Sequence, residues 1–146
     1  MTVSITVPAE LQASLPPAPL QSMLVFNLEQ AGFVVLTTRD IADPMFAINI
    51  RAVAERDDRG RDTGRMVYRV YGDLLQVVRL QDYAGKARIT LASTWHAGNF
   101  GVAARTSADE LRARVAEIVD AFLADHRAVN TDEPALKKAP RLFPPS

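Results

Sequence analysis

The sequence predicts an α+β fold: a two-layer sandwich with a mainly antiparallel sheet of about four to five strands and two helices packed on one face. Two stretches place apolar residues at helical spacing, one near the start of the chain and one near its end. Between them, several stretches alternate apolar and polar residues, which is typical of half-buried strands. The longer strands follow one another through turn-rich connections, and consecutive hairpins imply an antiparallel meander.

Each predicted helix has a recognisable start or end. The first runs from about Pro17 to Ala31, because proline is tolerated in the first turn of a helix and Gly32 follows where a left-handed C-terminal cap is expected. Before the second helix, Ser107 and Glu110 have the spacing of a capping box, in which both side chains accept hydrogen bonds from free backbone N–H groups. We expect this helix to end near residues 127–130.

The strands are predicted from the alternation of side chains. Short strands are expected at residues 3–7 and 33–38, and longer ones at 45–55, 66–80 and 87–95. In the last of these, one alternating face is predicted to be buried; it consists of Ile89, Leu91, Ser93 and Trp95. His96 then falls on the opposite, polar face.

The connections carry turn signals of their own. The segment from Glu55 to Arg65 is rich in acids and arginines and contains two glycines, and we expect a long exposed hairpin loop there. Gly72 lies inside a predicted strand, which indicates a β-bulge. A single domain is predicted at residues 1–130, followed at 131–146 by a proline-rich C-terminal tail that is extended or disordered.

Composition restricts the possible functions. The 146 residues carry 17 basic and 17 acidic side chains, so no basic excess favours nucleic-acid binding. Cysteine is absent and only two histidines are present, which argues against disulfides, thiolate chemistry and a structural zinc site. No apolar run is long enough for a transmembrane segment. We expect no metal and no cofactor.

The segment STWHAGNFG is the main candidate site. It is predicted to leave the last strand at Trp95 and His96 and to continue as a loop that contains Gly98, Asn99, Phe100 and Gly101. Two glycines permit positive φ and close backbone approach to a ligand, and Arg105 lies near the start of the following helix, so the loop offers an anion site. The favoured interpretation is a structural connection that turns sharply. Burial of Phe100 would support a structural role, whereas its exposure would indicate a partner.

No catalytic constellation is identifiable. His96 has no serine or acidic partner at a recognised spacing, so we expect no enzyme activity. On the long predicted strand, one face is half apolar, with Arg69 and Arg79 alternating with Val67, Leu75 and Val77. An open antiparallel sheet with such a face and long edges can pair with a partner. In the tail, Leu142 and Phe143 lie in a proline-rich context suited to anchoring a peptide.

The arrangement of motifs resembles a family of uncharacterised exported bacterial α+β proteins. The matching residues, within residues 3–130, are Leu28, Ala31, Gly32, Phe33, Thr94, Trp95, Gly98, Gly101, Phe122, Asp125 and Asn130. The two-layer arrangement is also similar to that of small periplasmic assembly domains, such as the lipopolysaccharide-transport lipoprotein and the amino-terminal domain of the translocation protein TolB. The resemblance implies export, although this sequence shows neither a leader pattern nor a lipidation cysteine.

Three functional hypotheses follow. The preferred one is a non-enzymatic binding or assembly module of a bacterial envelope or exported system, with a protein partner or self-association. The first alternative is a phage or cytoplasmic structural subunit that forms a ring or oligomer. The second is a small-anion or nucleotide-binding protein that uses the GNFG loop. The compartment is periplasmic if a leader has been removed and cytoplasmic otherwise.

Overall fold

The computed structural model describes residues 1–81 and 84–131 and has the predicted α+β fold. Its elements are β1 (Thr2–Thr6), a short 3-10 helix (Ala9–Leu11), α1 (Pro17–Gln30), β2 (Met45–Arg56), β3 (Asp62–Gln81), β4 (Ala87–Ala104) and α2 (Ala108–Thr131). Thr131, the first residue of the predicted tail, ends α2; the rest of the tail, with Leu142 and Phe143, lies outside the described residues.

The four strands form one mixed sheet in the order β1-β2-β3-β4. The β2-β3 and β3-β4 hairpins are antiparallel, which confirms the predicted meander. β1 pairs with β2 in parallel, and α1 lies on the crossover between them. β1 and β4 are therefore the two outer strands of the sheet.

The two helices cover one face of the sheet and leave the other uncovered. Their apolar residues share one core with the alternate residues of β2 and β3; the fully buried members include Leu24, Leu28, Phe46, Ile48, Ile50, Val70, Val115 and Val119. We call the covered side of the sheet the helix face and the uncovered side the open face.

Both helices begin close to where the sequence predicts. α1 ends with Ala31 as its C-cap, and Gly32 follows at φ 91°, the left-handed conformation that favours glycine. α2 begins directly after Ser107. The capping-box role of Glu110 is wrong: the backbone N–H of Ser107 donates to the Ala104 carbonyl (2.9 Å), and the Glu110 carboxylate is engaged elsewhere.

Two predictions about the connections are also wrong. Residues 33–38 do not form a strand; their segment bonds to Met1, which precedes β1. The Met1 amino group donates to the Val34 carbonyl, and the Met1 carbonyl accepts from the Leu36 N–H. The charged segment is not a long loop, because β2 extends to Arg56 and β3 starts at Asp62. Side-chain bonds across the hairpin hold its charged residues in extended strands; Thr63, for example, donates to the Glu55 carboxylate (2.8 Å).

The predicted bulge is displaced from Gly72 to the neighbouring strand. The pairing steps from Leu74↔Trp95 to Leu75↔Ser93, which leaves Thr94 as the extra residue in β4. Gly72 instead makes room for α2, because a Cβ atom there would lie 2.7 Å from Cγ2 of Ile118.

Because of the bulge, residues of β4 that are two positions apart on either side of Thr94 lie on opposite faces of the sheet. Trp95 lies on the helix face and packs against the core, as predicted. Ile89, Leu91 and Ser93 pair with open-face residues of β3, so their predicted burial with Trp95 is wrong. Ile89 is 76% exposed.

Past the last β2 pair, Met45↔Leu75, the β3-β4 hairpin extends beyond the sheet. Residues 76–81 and 87–92 pair with each other and with no other described strand. We call this two-stranded extension the arm.

Candidate functional site

The predicted HAGNFG loop does not exist, because β4 runs through it without a break to Ala104. Gly98 pairs with Tyr71, Phe100 with Arg69, and Gly101 with Tyr68. Neither glycine has a positive φ. The expectation of a glycine-rich anion loop is therefore wrong, and the residues of this segment alternate between the two faces of the sheet.

The open face is built from rows of side chains that the strand register places side by side. The first row is Val53, Val67 and Val102; the second is Arg51, Arg69 and Phe100; the third is Asn49, Tyr71 and Gly98; the fourth is Ala47, Asp73 and His96. An apolar row thus borders a row with two cations and an aromatic ring.

Phe100 is the most exposed apolar side chain of this face. It is 85% exposed, and Val53 in the adjoining row is 66% exposed. Val67 and Val102 in the same row are also exposed. A phenylalanine that projects from the middle of a regular strand gains nothing from burial within this chain, and contiguous exposed apolar groups of this kind mark interaction surfaces.

Polar contacts fix the residues around Phe100. The Arg69 guanidinium lies over the Tyr71 ring, 4.8 Å from its centroid, in a cation–π arrangement. Nδ1 of His96 lies 2.9 Å from Oδ1 of Asp73, and the same oxygen accepts from the Ser93 hydroxyl at 2.8 Å. His96 is therefore on the polar face, as predicted, with an aspartate partner that the sequence spacing did not reveal.

The contacts of Ser93, Asp73 and His96 differ from those of a nucleophilic triad. In such a triad the serine hydroxyl donates to the histidine, which is oriented by the carboxylate. Here the hydroxyl and the imidazole both contact one carboxylate oxygen, so the histidine is not positioned to accept the serine proton. Within residues 1–81 and 84–131, no cluster of three or more His, Cys, Asp or Glu side chains is suited to a metal ion.

The other predicted site residues of β4 lie on the helix face, where they support the fold. Trp95 packs edge-on against Phe122 at 5.2 Å between centroids, and its Nε1 donates to Asp125 (2.8 Å). Asn99 donates to Glu117 of α2 (3.0 Å). The sheet thus separates Trp95, Asn99 and Gly101 from His96, Gly98 and Phe100.

Gly101 is required by the packing of Tyr68. A Cβ atom on Gly101 would lie 2.6 Å from the Tyr68 hydroxyl oxygen. That hydroxyl donates to Oε1 of Glu110 (2.8 Å), which also accepts from Arg114. Burial, together with the bond to the carboxylate, raises the pKa of Tyr68, and the same hydroxyl with Arg114 lowers the pKa of Glu110. The glycine therefore admits a buried tyrosine that joins the sheet to α2.

Arg105 is paired within the chain. Its guanidinium contacts the Asp62 carboxylate, and its backbone N–H donates to the Gly64 carbonyl (3.2 Å). The Gly64 N–H, followed by the Arg105 side chain, lowers the pKa of Asp62. Arg105 thus lies just past the first β3-β4 pair, Arg65↔Ala104, whereas Phe100 lies four pairs further along the same ladder.

Sequence reasoning missed the valine row and the acidic partner of His96. Val53, Val67 and Val102 are spread over three strands, and only the register brings them together. A signal existed at Val53, an apolar residue that alternation in its strand assigns to the face opposite Phe46 and Ile48. A second apolar region lies at the arm, where a groove of about 690 Å³ is lined by residues including Ile41, Val77, Ile89 and Leu91.

Comparisons with known proteins identify no family for this chain. No protein-family model matches the sequence, and no characterised protein sequence matches it significantly. The fold is similar to the crystal structure of a minor lipoprotein from Acinetobacter baumannii, with a TM-score of 0.36 and 12% identity over 88% of this chain and 94% of that one. It is also similar to rare lipoprotein B from Shewanella oneidensis, with a TM-score of 0.33 and 10% identity over 94% of this chain and 99% of that one.

Both neighbours are bacterial lipoproteins, but the TM-scores and identities are low. The function proposed below therefore rests on this chain's own residues. Among the helices that the structure describes, none is long and apolar enough to cross a membrane.

Proposed function

We propose that the protein is a non-enzymatic binding module that engages a protein partner through the open face of its sheet around Phe100. The observation that carries this proposal is the 85% exposure of Phe100 beside the row of exposed valines. One side of the sheet is covered by both helices, and the other presents apolar groups to solvent that a partner would bury.

The residues around Phe100 are suited to recognition. The Arg69 guanidinium stacked on Tyr71 supplies a cation held in place by an aromatic ring. Aromatic residues and arginine are enriched where a few side chains contribute most of the binding energy, with polar groups at the rim. His96 and Asp73 supply that polar rim two rows away.

The contacts of the polar groups support a non-enzymatic role. Ser93 and His96 share one carboxylate oxygen and do not form a relay, and Arg105 is paired with Asp62. The sequence resemblance to exported bacterial proteins leads us to look for the partner in the cell envelope.

Site-specific photo-crosslinking in the bacterial host tests the proposal. A photoreactive phenylalanine analogue replaces Phe100 in one variant and Phe26 in a control, since Phe26 is 60% exposed on α1, on the covered side of the sheet. We expect discrete adducts from position 100 and none of the same mass from position 26. Identical adducts from both positions, or none from position 100, would contradict a binding role for the open face.

A further inference from the structure

Among residues 1–81 and 84–131, β4 is an outer strand of the sheet along its whole length. It is the last strand in the sheet order, and no strand within residues 1–81 and 84–131 pairs with its outer side. Every second residue of an edge strand presents unpaired backbone N–H and C=O groups, which form a template for another strand.

The segment of β4 from Trp95 to Ala104 lacks the usual protection of an edge strand. Natural edges are protected by charged side chains, prolines or bulges that discourage pairing with another chain. Between Trp95 and Ala104 the sequence has no Lys, Arg, Asp, Glu or Pro. The bulge at Thr94 directly precedes this segment and interrupts the regular edge there, so the unprotected edge begins at Trp95.

This segment carries a projecting ring and a notch on the same face. Phe100 projects from the open face, and Gly98, one position along that face, has no side chain. The cleft over Gly98 has a volume of about 500 Å³ and is lined by residues including Arg69, His96 and Phe100. A Cβ atom on Gly98 would lie 3.0 Å from Cβ of Tyr71, so the fold itself keeps the notch open.

The Phe100 ring and the open position at Gly98 lie two residues apart, so each can pack against the other in a second copy of the chain. When two antiparallel strands meet about a two-fold axis at Asn99, Phe100 of each copy lies opposite Gly98 of the other. Large side chains pack well over a glycine on the neighbouring strand. We propose that the partner engaged at Phe100 includes a second copy of this chain, joined by antiparallel β4-β4 pairing centred on Asn99.

Charge does not oppose this pairing. In the proposed register Val102 lies opposite His96, and Trp95 lies opposite Ala103, so no like charges face each other. Near the axis on the helix face, Glu117 accepts from Asn99 and is paired with Arg114 at 2.8 Å, so its carboxylate is already neutralised.

The size of the contact sets the expected affinity. Pairing from Trp95 to Ala103 covers an edge of roughly 30 Å by 10 Å, or roughly 300 Å² per copy from the strand alone. This is below the area of a typical stable interface, so we expect a dimer that forms between about 10 µM and 1 mM.

Single cysteines test the register, because the natural chain contains no cysteine. In Asn99→Cys the two thiols meet at the axis, with Cα atoms about 4.5–5.5 Å apart, which suits a disulfide. In the control Ala97→Cys, on the same face, the two positions are offset by four residues, or about 13 Å. Under mild oxidation at about 0.5 mM protein, we expect most of the Asn99→Cys chain, and little of the control, to become a covalent dimer.

Sedimentation measures the contribution of Phe100. We expect the average mass to rise from 16.0 kDa towards twice that value with concentration, and Phe100→Thr to weaken dimerisation by at least about tenfold. The control Ile89→Thr removes an apolar group of similar exposure, 76%, from the same strand on the other side of the bulge, and should leave dimerisation unchanged. A monomer up to 1 mM, or equal effects of both substitutions, overturns the inference.

This inference rests on the proposed role of the open face, but the two can fail separately. Adducts with another protein from position 100, combined with a strictly monomeric purified chain, keep the binding role and reject self-pairing. Equal crosslinking of the two cysteine variants also rejects self-pairing in this register.

Discussion

Substituting Gly101 by alanine places a methyl group against the ring of Tyr68. The new carbon would lie 2.6 Å from the hydroxyl oxygen and 2.8 Å from Cζ, far inside van der Waals contact. The ring is 3% exposed and its hydroxyl donates to Glu110, so it has little space in which to move. The methyl group therefore strains the sheet or displaces the ring from the carboxylate.

The expected cost combines two opposing effects. Overpacking in a well-packed core costs about 1–3 kcal/mol of unfolding free energy. Replacing glycine by alanine in a strand returns about 0.5–1 kcal/mol, because glycine loses more backbone freedom on folding. The midpoints of these two ranges give a net loss of about 1 kcal/mol, which corresponds to a melting temperature lower by about 2–5 °C.

A double-mutant cycle separates the clash from other effects. Urea unfolding is followed by the fluorescence of Trp95, the only tryptophan, in the natural chain, Gly101→Ala, Tyr68→Leu and the double variant. With the ring removed, Gly101→Ala should cost nothing or stabilise the protein slightly. If the alanine costs the same in both backgrounds, or stays within about 0.5 kcal/mol of the natural chain, then contact with Tyr68 is not why glycine occupies this position.

Further predictions concern the other residues of β4 and its partners. Trp95→Phe removes the bond to Asp125 and should lower the unfolding free energy by about 1 kcal/mol, measured by thermal unfolding followed by circular dichroism; an unchanged melting temperature would contradict a structural role for the indole. Because the pKa of Glu110 is lowered in the folded protein, its contribution to stability is present above its unfolded pKa and is lost as pH falls through the folded pKa. Melting temperatures should therefore fall as the pH is lowered below 4.5, the ordinary pKa of a glutamate, and less steeply in Glu110→Gln, whereas parallel profiles for the two proteins would argue against this origin. Phe100→Thr should leave the unfolding free energy within about 0.5 kcal/mol of the natural chain, since the ring is 85% exposed, and a larger loss in urea unfolding would show that the ring is part of the core.

The fold was largely predictable because each element carries its own local pattern. The stripe of α2, the glycine cap after α1 and the alternation in β2 depend only on neighbours in sequence. The predicted strand at residues 33–38 failed for the same reason. Residues 33–36 are all apolar, but a strand needs an aligned partner along its length, whereas here Val34 and Leu36 bond to Met1 and the Phe33 N–H donates to the Leu28 carbonyl.

The candidate site was harder to predict because glycine has two distinct uses. In the sequence, Gly98 and Gly101 favour a sharp turn, whereas in the structure both are needed for the close approach of a tyrosine on the adjacent strand. The location of the tyrosines opposite them depends on the β3-β4 register, and the Thr94 bulge shifts that register by one residue. The sequence left open whether Phe100 is buried or exposed. In the structure it is exposed, on the same face as Tyr71 and on the opposite face from Trp95.

The arm gives one continuous strand two different rates of amide hydrogen exchange. Within the part of the chain that the structure describes, residues 87–92 of β4 pair only with residues 76–81, and an isolated two-stranded ribbon is marginally stable in water. Between Trp95 and Ala103, the amides that bond to β3 belong to the four-stranded sheet beneath α2, where exchange requires opening of the core. Deuterium will therefore enter the β3-bonded amides of the arm while the β3-bonded amides of residues 95–103 remain protected, and the boundary between the two rates will mark the bulge in solution.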